Sequence, residues 1–214
     1  MTIEHLKAHH GDIERFHEAM IQTSVGRFNA VWWGIFDTYA TPGDGQVGHV
    51  LDLGTGPGLI LPHLRDRFPS AQITAVELRD EMLATAREIA EPIGAKVIEA
   101  DVSKRLPLDD ASVDVLTCVM LLHELLFPPA TLAEMGRLVR PGGRVIIYDW
   151  VKRDLCDYLD EGQELTPDLL NHFREHCLFS ANDLEFMAAA AGFKVVETIG
   201  RRGGNFAILA LEKV

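Results

Sequence analysis

From Asp12 to Tyr39 the apolar side chains return at helical intervals, at Ile13, Phe16 and Met20 and then at Val25, Phe28, Trp32, Ile35 and Phe36. Such spacing gathers them on one side of a helix, so it predicts one or two amphipathic helices ahead of any strand. Thr41-Pro42-Gly43-Asp44-Gly45-Gln46 then breaks the pattern. Proline fixes one backbone angle and glycine admits positive ones, which predicts a turn-rich connection.

After it, short apolar runs alternate with longer helical patterns. The runs His49–Leu53, Gln72–Glu77, Lys96–Glu99, Val113–Val119 and Arg144–Tyr148 read as strands, and the segments near Leu59–Phe68, Asp80–Glu91 and Thr131–Val139 read as helices. Strands separated by helices imply right-handed crossovers and a parallel sheet covered on both faces. The ending differs: Val195–Ile199 and Asn205–Glu212 are separated by only Gly200-Arg201-Arg202-Gly203-Gly204, too short for a helical crossover. They are expected to pair as an antiparallel hairpin. The predicted fold is a doubly wound, mostly parallel seven-stranded α/β sheet with an antiparallel C-terminal hairpin.

With 214 residues, 47% of them hydrophobic, the chain has the material for one core, and residues 48–214 are expected to form it, with residues 1–47 as a helical cap or lid. Its 20 basic and 32 acidic residues leave a formal charge of −12, which repels a phosphate backbone and an anionic lipid surface, so neither nucleic acid nor membrane is expected as a partner. Cys118, Cys156 and Cys177 show no paired spacing, and Met1–Asp12 has no apolar secretion core; a cytoplasmic protein is expected.

His49-Val50-Leu51-Asp52-Leu53 runs directly into Gly54-Thr55-Gly56-Pro57-Gly58, with a helix following. Glycines let a ligand approach the backbone where a Cβ would collide, at the carboxyl edge of the sheet where open α/β folds bind ligands. A dinucleotide loop would carry its third glycine at position 59, which is Leu59. Glu77 ends the second strand, placed to accept ribose hydroxyls, with Leu78 beside it. Asp101 ends the third, placed to accept an adenine amino hydrogen while Val102 packs on the ring.

This combination resembles the class I S-adenosylmethionine-dependent methyltransferase family, over roughly residues 48 to 214, and the small-molecule enzymes of quinone biosynthesis in particular. Asp114-Val115-Leu116-Thr117-Cys118-Val119-Met120-Leu121-Leu122-His123 is similar to that family's fourth strand, and Glu134 to Arg144 to its following helix and tight turn. Phe179-Ser180-Ala181-Asn182-Asp183-Leu184, followed by Ala191-Gly192-Phe193, resembles its last helix. The resemblance implies that S-adenosylmethionine is the cofactor, that Gly54, Thr55, Gly56 and Gly58 lie under it, that Asp52 holds its amino group, and that backbone near Cys118 reaches its methionine part.

Methyl transfer from a sulfonium needs alignment and exclusion of water, and a base only where the acceptor starts protonated. His123 is the candidate base or acceptor-positioning group, oriented by Glu124, with local structural capping as the alternative. Asp149 and Trp150 end the fifth strand on the same edge and are expected to face the pocket, Asp149 as a second catalytic candidate or else a cap for the next segment, Trp150 as a contact for the substrate. Trp32 and Trp33 are candidates for an acceptor pocket, or else core; Tyr39 is expected to reach the cofactor. The long segment from Trp150 to Ser180 is expected to carry specificity and, with the N-terminal helices, to form a lid.

His5 and His9, and His172 and His176 near Glu175 and Cys177, have helix-face spacing that suits a metal or simply a solvated helix; no metal is assigned. The function expected is methyl transfer to a small molecule, by a monomer or a homodimer. Two other readings stay open: a different transfer on the same cofactor fold, of the aminopropyl type, and a non-catalytic cofactor-binding partner.

Overall fold

The computed structural model describes residues 13–159, 162–176 and 179–214. His5, His9 and Cys177 lie outside them, as do the side chains of His172, Glu175 and His176. Helices α1 (Ile13–Arg27) and α2 (Ala30–Tyr39) come first, α2 begun by Asn29, whose side chain accepts from the N–H groups of Val31 and Trp32. Then follow β1 (His49–Leu53), α3 (Leu61–Arg67), β2 (Gln72–Glu77), α4 (Asp80–Ala90), β3 (Lys96–Glu99), β4 (Val113–Val119), α5 (Pro128–Leu138) and β5 (Val139–Trp150). The chain closes with α6 (Pro167–His176), α7 (Ala181–Ala190), β6 (Phe193–Arg201) and β7 (Phe206–Lys213).

The seven strands form one sheet in the order β3-β2-β1-β4-β5-β7-β6, parallel from β3 to β5, with β7 antiparallel to both β5 and β6. The expected hairpin is present. Strand β5 begins earlier than its apolar run suggests, at Val139, because the tight turn Pro141-Gly142-Gly143 is absorbed as an irregularity opposite Val113 and Val115.

Each central strand is apolar on both sides, and alternate residues divide between two cores. Val50, Val115, Ile146 and Ile208 face α2 and α3, whereas Leu51, Leu116, Ile147 and Leu209 face α5 and α7. Trp32, Trp33 and Phe36 belong to the first of these cores, so α2 is a structural layer of the sheet; Trp32 stacks on Tyr148 of β5 with ring centroids 5.5 Å apart. Among the described residues no helix is long and apolar enough to cross a membrane.

The strand order reverses direction between β1 and β4. In open α/β sheets the crevice outside the strand ends at such a point is where ligands bind.

Candidate active site

Gly54 N–H and Thr55 N–H both donate to the Val76 carbonyl, at 2.9 and 3.1 Å, which folds the loop after β1 back over the end of β2. Gly54 (φ +68°) and Gly58 (φ +83°) hold left-handed backbone that a side chain resists. Space is also restricted: a Cβ on Gly54 would lie 2.8 Å from Leu121 Cδ1, and one on Gly58 would lie 3.1 Å from the Ala86 Cα in α4.

Beside the loop is a cavity of about 150 Å³. Gly54 and Gly56 form one wall, with Glu77 at the end of β2 and Asp101 just past the end of β3. Leu78, Met82 and Val102 give it apolar surface suited to a flat heteroaromatic ring. Glu77 is buried and pre-aimed: its Oε2 accepts from Gly56 N–H at 2.8 Å, and its Oε1 from Leu78 N–H at 2.8 Å and Arg79 N–H at 2.9 Å. A carboxylate offers about four acceptor positions, so one remains for a ligand hydroxyl. Asp101 Oδ1 accepts from the N–H and hydroxyl of Ser103 at 2.9 and 2.6 Å, and Oδ2 pairs with Lys104 at 3.3 Å. Burial pushes the Asp101 carboxyl up, but Ser103 and Lys104 outweigh it and hold it below the ordinary range.

Asp52 lies on the other side of Gly54. The register of β1 on β4 puts it beside Thr117, whose hydroxyl donates to Asp52 Oδ1 at 2.5 Å. Burial raises the Asp52 carboxyl to about 6, against the opposing effect of Thr117. Asp52 and Thr55 line a smaller cavity, of about 20 Å³, with Ser24 and Arg27 of α1; Met20 and Gly54 border both cavities.

At the far end, β4 turns out through Met120, whose φ of +55° is unusual for a residue with a side chain. The 3₁₀ turn Leu122–Glu124 follows. Asp149 holds that turn: its carboxylate accepts from Leu121 N–H at 3.2 Å, Leu122 N–H at 2.6 Å and Trp150 N–H at 2.8 Å, and from His123 Nδ1 at 2.5 Å. His123 Nε2 meets Glu124 Oε1 at 3.3 Å. Burial pushes the imidazole down, but Asp149 first and Glu124 next prevail and raise it to about 10. Two carboxylates beside the ring thus favour its protonated form, which suits His123 to charge and positioning of an acceptor.

His123 and Glu124 line the main cavity, whereas Asp149 is fully buried behind them. Asp149 reaches the cavity through His123 and the turn it holds. Trp150 rests against the His123 ring, 5.5 Å away, and against Phe206, 5.7 Å away, and lines neither cavity. Cys118 is inside the core; burial raises its thiol, and Asp149 and Asp52 add to the effect. Tyr39, Trp32 and Trp33 sit on the α2 face of the sheet and line neither cavity. Sequence reasoning passed over Met20, Arg79, Met82 and Leu125, all of which border the main cavity. Arg79 and Met82 carried a usable signal, being just past Glu77 at the start of α4; Met20 did not, because no motif ties α1 to the loop.

A left-handed glycine loop at the sheet's reversal point, carboxylates at the end of β2 and just past β3, and a final antiparallel strand pair make an architecture similar to that of class I S-adenosylmethionine-dependent methyltransferases. Residues 51–147, a little under half of the chain, match the model of a methyltransferase domain. The apolar faces of Leu78, Met82 and Val102 beside the carboxylates of Glu77 and Asp101 suit a nucleoside-bearing cofactor such as S-adenosylmethionine. The chain is 30% identical over 139 residues to a ubiquinone/menaquinone biosynthesis C-methyltransferase of Paracoccus denitrificans, covering 63% of this chain and 54% of that protein. It is 33% identical over 110 residues to a phosphatidylethanolamine N-methyltransferase of Cereibacter sphaeroides, covering 50% and 53%. The chain thus spans about half the length of these curated relatives. Its fold is similar to that of an S-adenosylmethionine-dependent methyltransferase from Aquifex aeolicus, with a TM-score of 0.62 at 24% identity over 84% of this chain and 87% of that one.

Proposed function

We propose that this protein transfers a methyl group from S-adenosylmethionine to a small-molecule acceptor. The observation that carries the reading is the cavity at the β1–β4 reversal, where the glycine loop faces the carboxylates of Glu77 and Asp101. When bound, the cofactor supplies an electrophilic methyl on a sulfonium with a neutral thioether as leaving group.

In this reading Glu77 binds ribose hydroxyls, Asp101 and the apolar pair Leu78 and Val102 hold the adenine, and Asp52 faces the ammonium of the methionine part. Arg27, which borders the smaller cavity, suits the carboxylate of that same part. Met120, Leu121 and His123 surround the end where the acceptor approaches and exclude water there. The acceptor's lone pair forms the new bond to carbon as the carbon–sulfur bond breaks, and His123, with Glu124 beside it, lies at that end to position the acceptor.

The charge of −12 supports a small acceptor over a nucleic acid. The exposed free thiol of Cys156 supports a reducing, cytoplasmic setting. The helix α1, through Met20, is suited to cap both cavities.

Calorimetry with S-adenosylhomocysteine tests the binding half of the proposal, and transfer of labelled methyl groups to a metabolite panel tests the catalytic half. A folded protein that takes up no ligand at millimolar concentration would sink both.

A further inference from the structure

A cavity of about 300 Å³ lies beyond β5, apart from the two described above. Its size falls at the lower end of small-molecule pockets, roughly 300–1,000 Å³. The body of the cavity is apolar. Tyr158, from the 3₁₀ turn Leu155–Tyr158, stacks on Phe173 of α6 with centroids 4.5 Å apart and planes 24° from parallel. The Tyr158 hydroxyl is held at both ends, donating to the Val151 carbonyl at 2.5 Å and accepting from Arg153 N–H at 2.6 Å. This aromatic wall is therefore tied to the end of the sheet.

The rim is cationic: Lys152, Arg153 and Arg174 all border the cavity, and no carboxylate does among the described residues. Arg153 is anchored by the Gly203 carbonyl and by Asp157 at 3.0 Å. Lys152 and Arg174 are exposed, and neither has a carboxylate within ion-pair distance among the described residues. Asp183 is within electrostatic reach of Lys152 and borders, with Asp154 and Asp157, an adjoining cleft that shares Lys152 and Arg153 with the cavity. In a chain with a net charge of −12, Lys152 and Arg174 beside one concave aromatic surface, with Arg153 already paired to Asp157, run against the general field. That juxtaposition repels metal cations. It matches a molecule with a flat or aliphatic body and an anionic head, because guanidinium groups pair with carboxylate or phosphate oxygens while the rings cover the body.

We propose that this cavity is a second binding site, for a small organic anion: a carboxylate or phosphate monoester on an aromatic or short aliphatic body. The inference is independent of the cofactor reading, since the two cavities share no lining residue.

The test is calorimetric titration with 1-naphthyl phosphate, 1-naphthoate and neutral 1-naphthol. At least one of the two anions binds at submillimolar concentration, the tighter one identifying the head group, and naphthol binds more weakly than that anion. The double variant Lys152→Gln, Arg174→Gln weakens anion binding by about tenfold or more, with naphthol unaffected. Both positions are exposed, so the fold persists, and Lys194→Gln, an exposed cation on β6, leaves binding unchanged. Absence of anion binding at ten times that range, naphthol binding as tightly as the anions, or wild-type affinity in the double variant would each overturn the proposal.

Discussion

His123 donates its Nδ1–H to Asp149 across 2.5 Å, tying the turn after β4 to the end of β5 beside the main cavity. The pair has a measurable consequence for stability. The folded imidazole stands at about 10 against an ordinary 6.5, so the folded chain holds a proton that the unfolded chain releases between those values. The stabilisation is complete below about pH 6.5 and is lost as pH rises through about 10. Urea unfolding at pH 7 and pH 10 should show the wild type losing on the order of a few kcal/mol across that interval. His123→Gln should lose much less. Equal losses in the two proteins would mean that the imidazole is not charged in the fold.

Trp32 tests whether α2 serves the core or the acceptor. Its ring is buried against Trp33, Phe36 and Tyr148, and its indole nitrogen has no hydrogen-bond partner among the described residues. Trp32→Phe therefore gives up no hydrogen bond and should cost little. Trp32→Ala leaves a large void and should destabilise by about 3–5 kcal/mol. Chemical denaturation checks the difference, with S-adenosylhomocysteine affinity of the still-folded fraction expected near the wild-type value.

The helical spacing of Trp32 and Phe36 says that they share a helix face, but it does not say which surface that face meets. Choosing between core and pocket required the side of the sheet on which α2 packs, and this is a long-range fact. The strands were more legible, because β1, β2, β3 and β4 are short apolar runs bounded by turn residues, and the observed limits match those read from the chain. Glu77 and Asp101 were legible for a related reason: once a run is recognised as a parallel strand, the residues at and just past its end lie at the edge where ligands bind. Tyr39, at the end of α2, offered no such rule. The charge state of His123 was also hidden, since Asp149 is 26 residues away and only the parallel pairing of β4 with β5 brings them together.

Asp52 is expected to trade stability for binding. Its carboxyl stands at about 6 in the fold against an ordinary 3.8, so ionising it costs the ligand-free protein stability as pH rises through that window. Asp52→Asn should therefore stabilise the ligand-free chain at pH 7, by about 1–3 kcal/mol. The same change should weaken S-adenosylhomocysteine binding, because the neutral amide no longer attracts an ammonium. In the wild type, affinity should fall about tenfold from pH 7 to pH 5 as Asp52 takes up a proton, while the variant's affinity stays flat. Calorimetry across that range, paired with urea unfolding, checks both halves.

Glu77 carries two tasks, closing the loop through Gly56, Leu78 and Arg79 N–H groups and leaving an acceptor position for a ligand. Glu77→Ala is expected to weaken cofactor binding by roughly 1.5–3 kcal/mol and also to lower stability, since three buried donors lose their partner. Glu77→Gln keeps the shape but offers an amide nitrogen to N–H groups that need an oxygen, so it should recover only part of either loss. Unchanged affinity in Glu77→Ala would remove the residue from the ribose site.

The two crowded glycines should fail in different ways when given the same methyl group. At Gly58 the new Cβ meets backbone, 3.1 Å from the Ala86 Cα, and the left-handed φ of +83° adds strain. Helix α4 cannot yield locally, so Gly58→Ala should cost about 1–3 kcal/mol of stability with a smaller effect on ligand affinity. At Gly54 the new Cβ meets the far end of a flexible side chain, Leu121 Cδ1, at 2.8 Å. Leu121 can swing aside, but it borders the cavity and its N–H is held by Asp149, so the displacement falls on the site. Gly54→Ala should therefore bring, besides the backbone strain of its own φ of +68°, a loss of S-adenosylhomocysteine affinity larger than that of Gly58→Ala. Measuring unfolding and binding on both variants separates the loop's structural glycine from its ligand-facing one; the reverse ranking of affinities would mean that the cofactor does not lie against Gly54.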